Sequence, residues 1–150
     1  MTLQEAYNIF ESLKTETTNK HEIKVYEKFL HILSKLKIRE FSKDEIQSIE
    51  TELDRLNLKS NLGDRKKHVK KALSKFEKYL KDTFSLTSKG YYTNLYSGLG
   101  LSFGLLFGVV FLSSWERSLG ISIGLIGGML VGLIIGQSMD AKAKSESKVL

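Results

Sequence analysis

The feature that most constrains this chain is a ladder of glycines inside two charge-free apolar runs. Gly100, Gly104 and Gly108 fall every fourth residue, and Gly120, Gly124, Gly128, Gly132 and Gly136 repeat the spacing. With Gly98 and Gly127, ten of the chain's 12 glycines lie between positions 98 and 136. An interior glycine costs a water-exposed helix about 1 kcal/mol relative to alanine, so a solvated surface helix would not retain such a series. Leu99–Leu112 and Leu119–Met139 are built almost wholly from Leu, Ile, Val, Phe, Met, Gly and Ser, with no charge in either. Roughly 20 apolar residues let a helix cross about 30 Å of hydrocarbon. The second run meets that length, and the first does so once Leu95, Tyr96 and Ser97 are added. The expectation is two transmembrane helices, about 93–113 and 119–139, with every backbone hydrogen bond satisfied internally.

In lipid, apolar helices gain little from touching one another, and close approach at small residues drives their pairing. The ladder therefore marks helix-packing faces. The pattern at Gly100, Gly104 and Gly108 and at Gly120, Gly124, Gly128, Gly132 and Gly136 resembles the glycine-zipper segments of small bacterial two-span membrane proteins. The resemblance covers about the last third of the chain. It implies tight packing and self-association, and no particular activity. Five rungs on the second helix exceed what three on the first require, which favours a homo-oligomer with Gly124, Gly128 and Gly132 at its centre.

Charge divides the rest. Residues 1–64 carry ten Lys/Arg against twelve Asp/Glu, whereas residues 65–89 carry nine Lys/Arg against only Glu77 and Asp82. The basic excess (Arg65, Lys66, Lys67, Lys70, Lys71, Lys75, Lys78) immediately precedes the first apolar run. Lys/Arg near an anionic leaflet gain roughly 1 kcal/mol each, so anionic lipid headgroups are the expected contact, beside the plainer reading of a solvated, orientation-setting face. Few aromatic residues interleave with these lysines, which argues against a nucleic-acid platform. Lys142, Lys144 and Lys148 follow the second run, and only Arg117, offset by Glu116, lies between the two. The positive-inside rule then puts both termini in the cytoplasm, on an inner or plasma membrane. Tyr91, Tyr92 and Tyr96 supply one interfacial belt and Trp115 the other. The N-terminus lacks the apolar core of a signal peptide, so the first span is expected to act as an internal signal-anchor.

Residues 1–88 read as a bundle of three or four helices. Thr2 with Glu5, Asn19 with Glu22, and Ser42 with Glu45 are helix-opening pairs. Each precedes an apolar stripe at helical spacing: Leu3, Ala6, Tyr7, Phe10 and Leu13; Ile23, Tyr26, Phe29, Leu30, Leu33 and Leu36; Ile46, Ile49, Leu53 and Leu56. Asn61, Leu62 and Gly63 give a helix stop and Asp64 a new cap, ahead of Val69, Leu73, Phe76 and Leu80. Nothing alternates with period two. Ser85–Gly90 is a hinge, unless the fourth helix runs straight on into the membrane. The fold class is thus an all-α membrane protein: a soluble bundle (1–88), a glycine-zipper transmembrane hairpin (89–140) and a polar, frayed tail (141–150).

An enzyme is hard to build from these residues. The chain has no cysteine, hence no thiol nucleophile, disulfide or thiolate metal site. His21, His31 and His68 lack metal-ligand spacing. Glu27 and His31, one turn apart, fit a solvated contact better than a metal site. Ser102, Ser122 and Ser138 have no partnered base and are expected to bond back to their own helices. No Lys-Ser/Thr follows the glycines, so they are no phosphate loop. No catalytic residue, metal or cofactor is expected. The sequence favours a membrane-anchored, oligomerising assembly protein with an unidentified cytoplasmic partner. The alternative is a small channel, pore or toxin-like effector gated by the soluble domain, against which stands the absence of any ionisable residue in either apolar run.

Overall fold

The computed structural model describes residues 1–58, 65–112 and 117–150, and the named elements within them are all helical. The chain divides into two units, Met1–Leu86 with Leu150, and Thr87–Val149. The stop and cap expected at Asn61–Asp64, and the belt residue Trp115, lie outside the described residues.

Among its described residues the first unit holds four helices: α1 (Leu3–Glu16), α2 (Lys20–Ile38), α3 (Lys43–Arg55) and α4 (Arg65–Phe84). Their starts follow the caps. Thr2 and Ser42 each form the full reciprocal box with Glu5 and Glu45, so two orphan donors are satisfied at each helix end. Asn19 caps α2 by accepting from the His21 N–H at 3.0 Å. Its expected partner Glu22 instead accepts from the Thr17 hydroxyl at 2.9 Å. The stripes meet in one core, in which Phe10, Phe29 and Phe76 form a continuous stack, with ring centroids 4.1 Å and 6.0 Å apart. Ala6, Tyr26, Leu33, Leu36, Ile49, Leu53, Val69, Leu73 and Leu80 close around it. Ile32 and Ala72 are also buried, though neither belongs to the expected stripes. Leu150 belongs to this core too and is 4% exposed.

The fourth helix does not continue into the next. It stops at Phe84, where Ser85 takes a left-handed φ of 57° and the Leu86 N–H bonds to the Leu80 carbonyl at 3.1 Å. Gly90, at φ 75°, makes the second turn, a conformation that glycine adopts without a Cβ penalty.

The second unit holds α5 (Tyr91–Phe107), which ends in a π-helical turn (Gly108–Leu112), and α6 (Arg117–Ser145). Two stretches are long and apolar enough to cross a membrane, Tyr91–Phe111 with 21 residues and Leu119–Ser145 with 27. They begin earlier and end later, respectively, than the expected 93–113 and 119–139, because both helices extend into polar sequence at the shared end. The expected frayed tail is instead ordered. Ser147 is left-handed at φ 55°, the Lys148 N–H bonds the Ala143 carbonyl at 2.8 Å, and the Ser147 N–H bonds that of Lys144 at 3.1 Å. This is the double bond set of a Schellman helix end. The Thr87 N–H then donates to the Lys148 carbonyl at 2.9 Å, forming a single parallel bridge between Thr87 and Val149. Backbone donors left over at a helix end find partners wherever they are within reach, and no side-chain periodicity announces such pairing.

Candidate functional site

The feature around which the second unit is organised is the seam between α5 and α6. Gly100, Gly104, Gly108, Gly124, Gly128, Gly132 and Gly136 all face it, and the Gly120 carbonyl lies against Gly108. A Cβ on Gly104 would come within 2.9 Å of the Gly128 Cα, and one on Gly128 within 2.6 Å of the Gly104 Cα. A Cβ on Gly100 would meet the Gly128 carbonyl, and one on Gly124 would meet that of Gly104. At one end, a Cβ on Gly108 would approach the Gly120 carbonyl to 2.6 Å. Toward the other, Gly132 lies against the backbone of Tyr96 and Ser97, and a Cβ on Gly136 would reach within 2.5 Å of the Thr93 Cα. The obstacles are backbone atoms, which cannot swing aside as a side chain can. The two glycines inside α5 and α6 that lie off the ladder behave differently, since a Cβ on Gly98 or Gly127 would meet nothing within 4 Å.

This overturns one inference from the sequence. The five α6 rungs are not in excess of the three on α5, because Gly132 and Gly136 pack against the non-glycine backbone of Tyr92, Thr93, Tyr96 and Ser97. The ladder is taken up within one chain and leaves no spare rung to argue for a second copy.

The seam is closed at the start of α5 by a side chain from α6. Gly90, the residue before α5, has no side chain with which to cap the helix. The carboxylate of Asp140 does so from the neighbouring helix. It accepts from the Tyr92 N–H at 3.1 Å, the Thr93 N–H at 3.0 Å and the Thr93 hydroxyl at 2.6 Å. A carboxylate at a helix N-terminus satisfies orphan donors and sits at the positive end of the helix dipole. The sequence carried the signal, since Asp140 is the next position in the four-residue series after Gly136 and the only acidic residue in α6.

Away from the seam, the hairpin is apolar. Phe103, Val110, Ile126 and Ile134 are each more than 60% exposed. On one side the helices leave an apolar groove of about 770 Å³, floored by glycine backbone and walled by Phe103, Phe107, Ile123, Val131 and Ile135. Ser102 donates back to the Gly98 carbonyl at 3.0 Å and Ser97 to that of Thr93 at 2.6 Å, in the manner of hydroxyls on apolar helices. Tyr91 and Tyr92 pack edge to face at the start of α5, and Tyr96 is half-buried one turn on.

On the bundle, α4 turns Val69, Leu73, Phe76 and Leu80 inward and leaves Lys66, Lys67, Lys70, Lys71, Lys75 and Lys78 exposed. Arg65, at the start of the same helix, pairs with Glu16 at 3.9 Å. Glu27, weighed above as a partner of His31, instead binds Lys14 at 2.9 Å. His68 Nε2 lies 3.3 Å from the Asn57 carbonyl. Among the described residues no three His, Asp or Glu side chains come together as a metal site would require.

No protein-family model matches this chain, and neither a curated protein nor a solved structure does.

Proposed function

We propose that this protein is a membrane-anchored assembly protein, with the α5–α6 hairpin inserted in a bilayer of the small-bacterial, glycine-zipper kind and the bundle held at its cytoplasmic face. The observation that carries this reading is the pairing of a sealed glycine seam with an outward surface of large apolar side chains on two long helices. In water so large an exposed apolar surface is a liability, and such patches mark contact with lipid or protein. In hydrocarbon the same surface is matched to its solvent, and the seam supplies the close packing by which helices associate there.

The antiparallel pairing brings the start of α5 and the end of α6 to one end of the hairpin, because Asp140 bonds Tyr92 and Thr93. Both connections to the bundle then leave the bilayer on the same side. The Lys-rich face of α4 lies just upstream in sequence and gives that side its positive bias, with attraction to anionic headgroups of roughly 1 kcal/mol per residue. Self-association, in this reading, uses the outward apolar faces of the hairpin and not the ladder, and the bundle recruits a cytoplasmic partner.

Two measurements on the full chain test this. Alkaline extraction of cell membranes should leave the protein in the pellet, and release into the supernatant would refute insertion. In nanodiscs, native mass spectrometry should show a defined multimer, and a strict monomer would remove the assembly role. Lys70→Glu with Lys71→Glu should weaken capture by phosphatidylserine vesicles relative to phosphatidylcholine ones without changing extraction behaviour.

A further inference from the structure

Gly98 and Gly127, the two helical glycines that the seam does not explain, differ in their surroundings. Both are exposed, and a Cβ on either would meet open space. Gly127 lines the apolar groove, whereas Gly98 does not. It stands in the α6 wall between Ile123 and Val131, in a row spaced by four residues, so that wall has a notch one side chain wide. Across the groove, the α5 wall carries Phe103, which is 68% exposed. Knob and notch lie at one level of the hairpin. Gly128 packs against Gly100 and Gly104, which sets Gly127 level with Phe103 to within a residue or two, about 1.5–3 Å of rise. The groove runs from Tyr96 to Phe111 along α5, about 22 Å of helix. Spread over that length, its volume of about 770 Å³ leaves a mean cross-section of roughly 35 Å². A helix about 10 Å across does not fit inside it, but a row of side chains does.

We infer that this groove is the face by which two copies of the chain pair, with Phe103 of each seated at Gly127 of the other. The inference rests on the membrane insertion and self-association proposed above, and it names the surface they use. Copies inserted in the same sense are related by rotation about the bilayer normal, so features of the two meet only when they lie at the same depth. A two-fold rotation that turns the grooves toward each other sets α5 of one copy against α6 of the other. It leaves every depth unchanged, so one knob and one notch become two identical contacts. This is the self-complementarity that an isologous interface requires. The groove is also continuous with the seam, because its floor is the outer side of the Gly100, Gly104, Gly124 and Gly128 backbone. No lining residue is charged, and Tyr96 is the only one with a polar side chain, so closing the groove strands no charge. In lipid such faces gain by close packing, and a phenylalanine set into the place of a missing side chain supplies it. The competing occupant is a lipid alkyl chain. It conforms to a smooth groove as readily as to a notched one, and gives no reason for glycine at 127, where glycine weakens a helix relative to alanine.

The absence of cysteine makes the test direct. Full-length Phe103→Cys chains are co-expressed with tagged full-length Gly127→Cys chains, and the isolated membranes are oxidised with copper phenanthroline. A disulfide-linked heterodimer should form, since the second knob and notch of the mixed pair stay native. Gly98→Cys in place of Gly127→Cys should give none. In phosphatidylcholine nanodiscs, native mass spectrometry should show a dimer for the parent and for Gly98→Leu. Gly127→Leu fills the notch and should lose the dimer, with unchanged helix content by circular dichroism because a side chain there meets nothing within its own chain. A dimer that persists in Gly127→Leu, or cross-linking that is equal through positions 98 and 127, overturns the inference and leaves the assembly reading in place. A parent ring of three or more copies overturns it as well, since isologous pairing closes at two. A strictly monomeric parent, with or without a lipid retained in the groove, removes the inference and the assembly reading together.

Discussion

Phe10, Phe29 and Phe76 hold the bundle by filling its centre, with rings stacked at 4.1 Å and 6.0 Å. Gly104 and Gly128 hold the hairpin by emptying its centre, so that backbone touches backbone. Both regions are helical, yet large side chains build one interface and missing side chains the other. The difference fits what each helix would otherwise contact under the membrane insertion proposed for the hairpin. In water, burying an aromatic side chain contributes about 1.5–3 kcal/mol, so the bundle gains by bringing bulk inward. Among apolar surroundings that gain vanishes, and only closer contact distinguishes one apolar neighbour from another.

The sharpest way to break this contrast is to exchange the logics. Gly128→Leu places a side chain against the Gly104 backbone and should abolish the close pairing of α5 and α6. Gly127→Leu, one residue away and facing open space, should leave it intact. Double electron–electron resonance between labels at Leu106 and Ser138 reads both, and equal behaviour of the two variants would dissolve the distinction between the two interfaces. Next in size, Phe29→Ala should cost the bundle about 3–5 kcal/mol through loss of buried area and the cavity left behind. Denaturant unfolding followed by far-ultraviolet circular dichroism would register it, while the inter-helix distance in the hairpin should not move.

The smallest effect is at a helix start. Ser42→Ala removes the α3 cap and should cost about 1 kcal/mol. Glu45, the reciprocal partner, has a carboxyl held below its usual 4.5, first by the Ser42 backbone N–H and then by the Ser42 side chain, with slight burial opposing. Its contribution is therefore fully present above pH 4.5 and lost as pH falls through the lower folded value. In a urea titration repeated across that range, the parent midpoint should fall more steeply on acidification than that of Glu45→Gln. Parallel slopes would show that the carboxylate contributes nothing.

Much of this was legible in the sequence, for reasons that differ by region. The caps at Thr2, Asn19 and Ser42 and the stripes they introduce are local patterns, and local patterns survive into the fold. The ladder was legible too, because only glycine spaced at helical period inside apolar runs demands a close approach. What the spacing could not supply was the identity of the neighbour. Three rungs against five suggested a second copy, whereas the backbone of Tyr92–Ser97 takes up the difference. Asp140 was hidden by its company, since a lone acid beside a lysine-bearing segment reads as no more than the polar end of the hairpin until the N–H groups of Tyr92 and Thr93 are seen beside it. The Schellman turn at Ser147 and the Thr87–Val149 bridge are main-chain events with no side-chain rhythm to betray them.

The return of Leu150 to the bundle core has a consequence for the order of events during synthesis. The ribosome releases residues 1–86 first, complete in helices but lacking one wall residue of their core. That residue arrives only after the whole hairpin has been made. Closing so long a loop is slow compared with pairing adjacent helices, so the bundle should form early and in outline, and tighten last. Synthesis of the hairpin and final consolidation of the bundle are thereby scheduled in sequence, with the hairpin made before the bundle is complete.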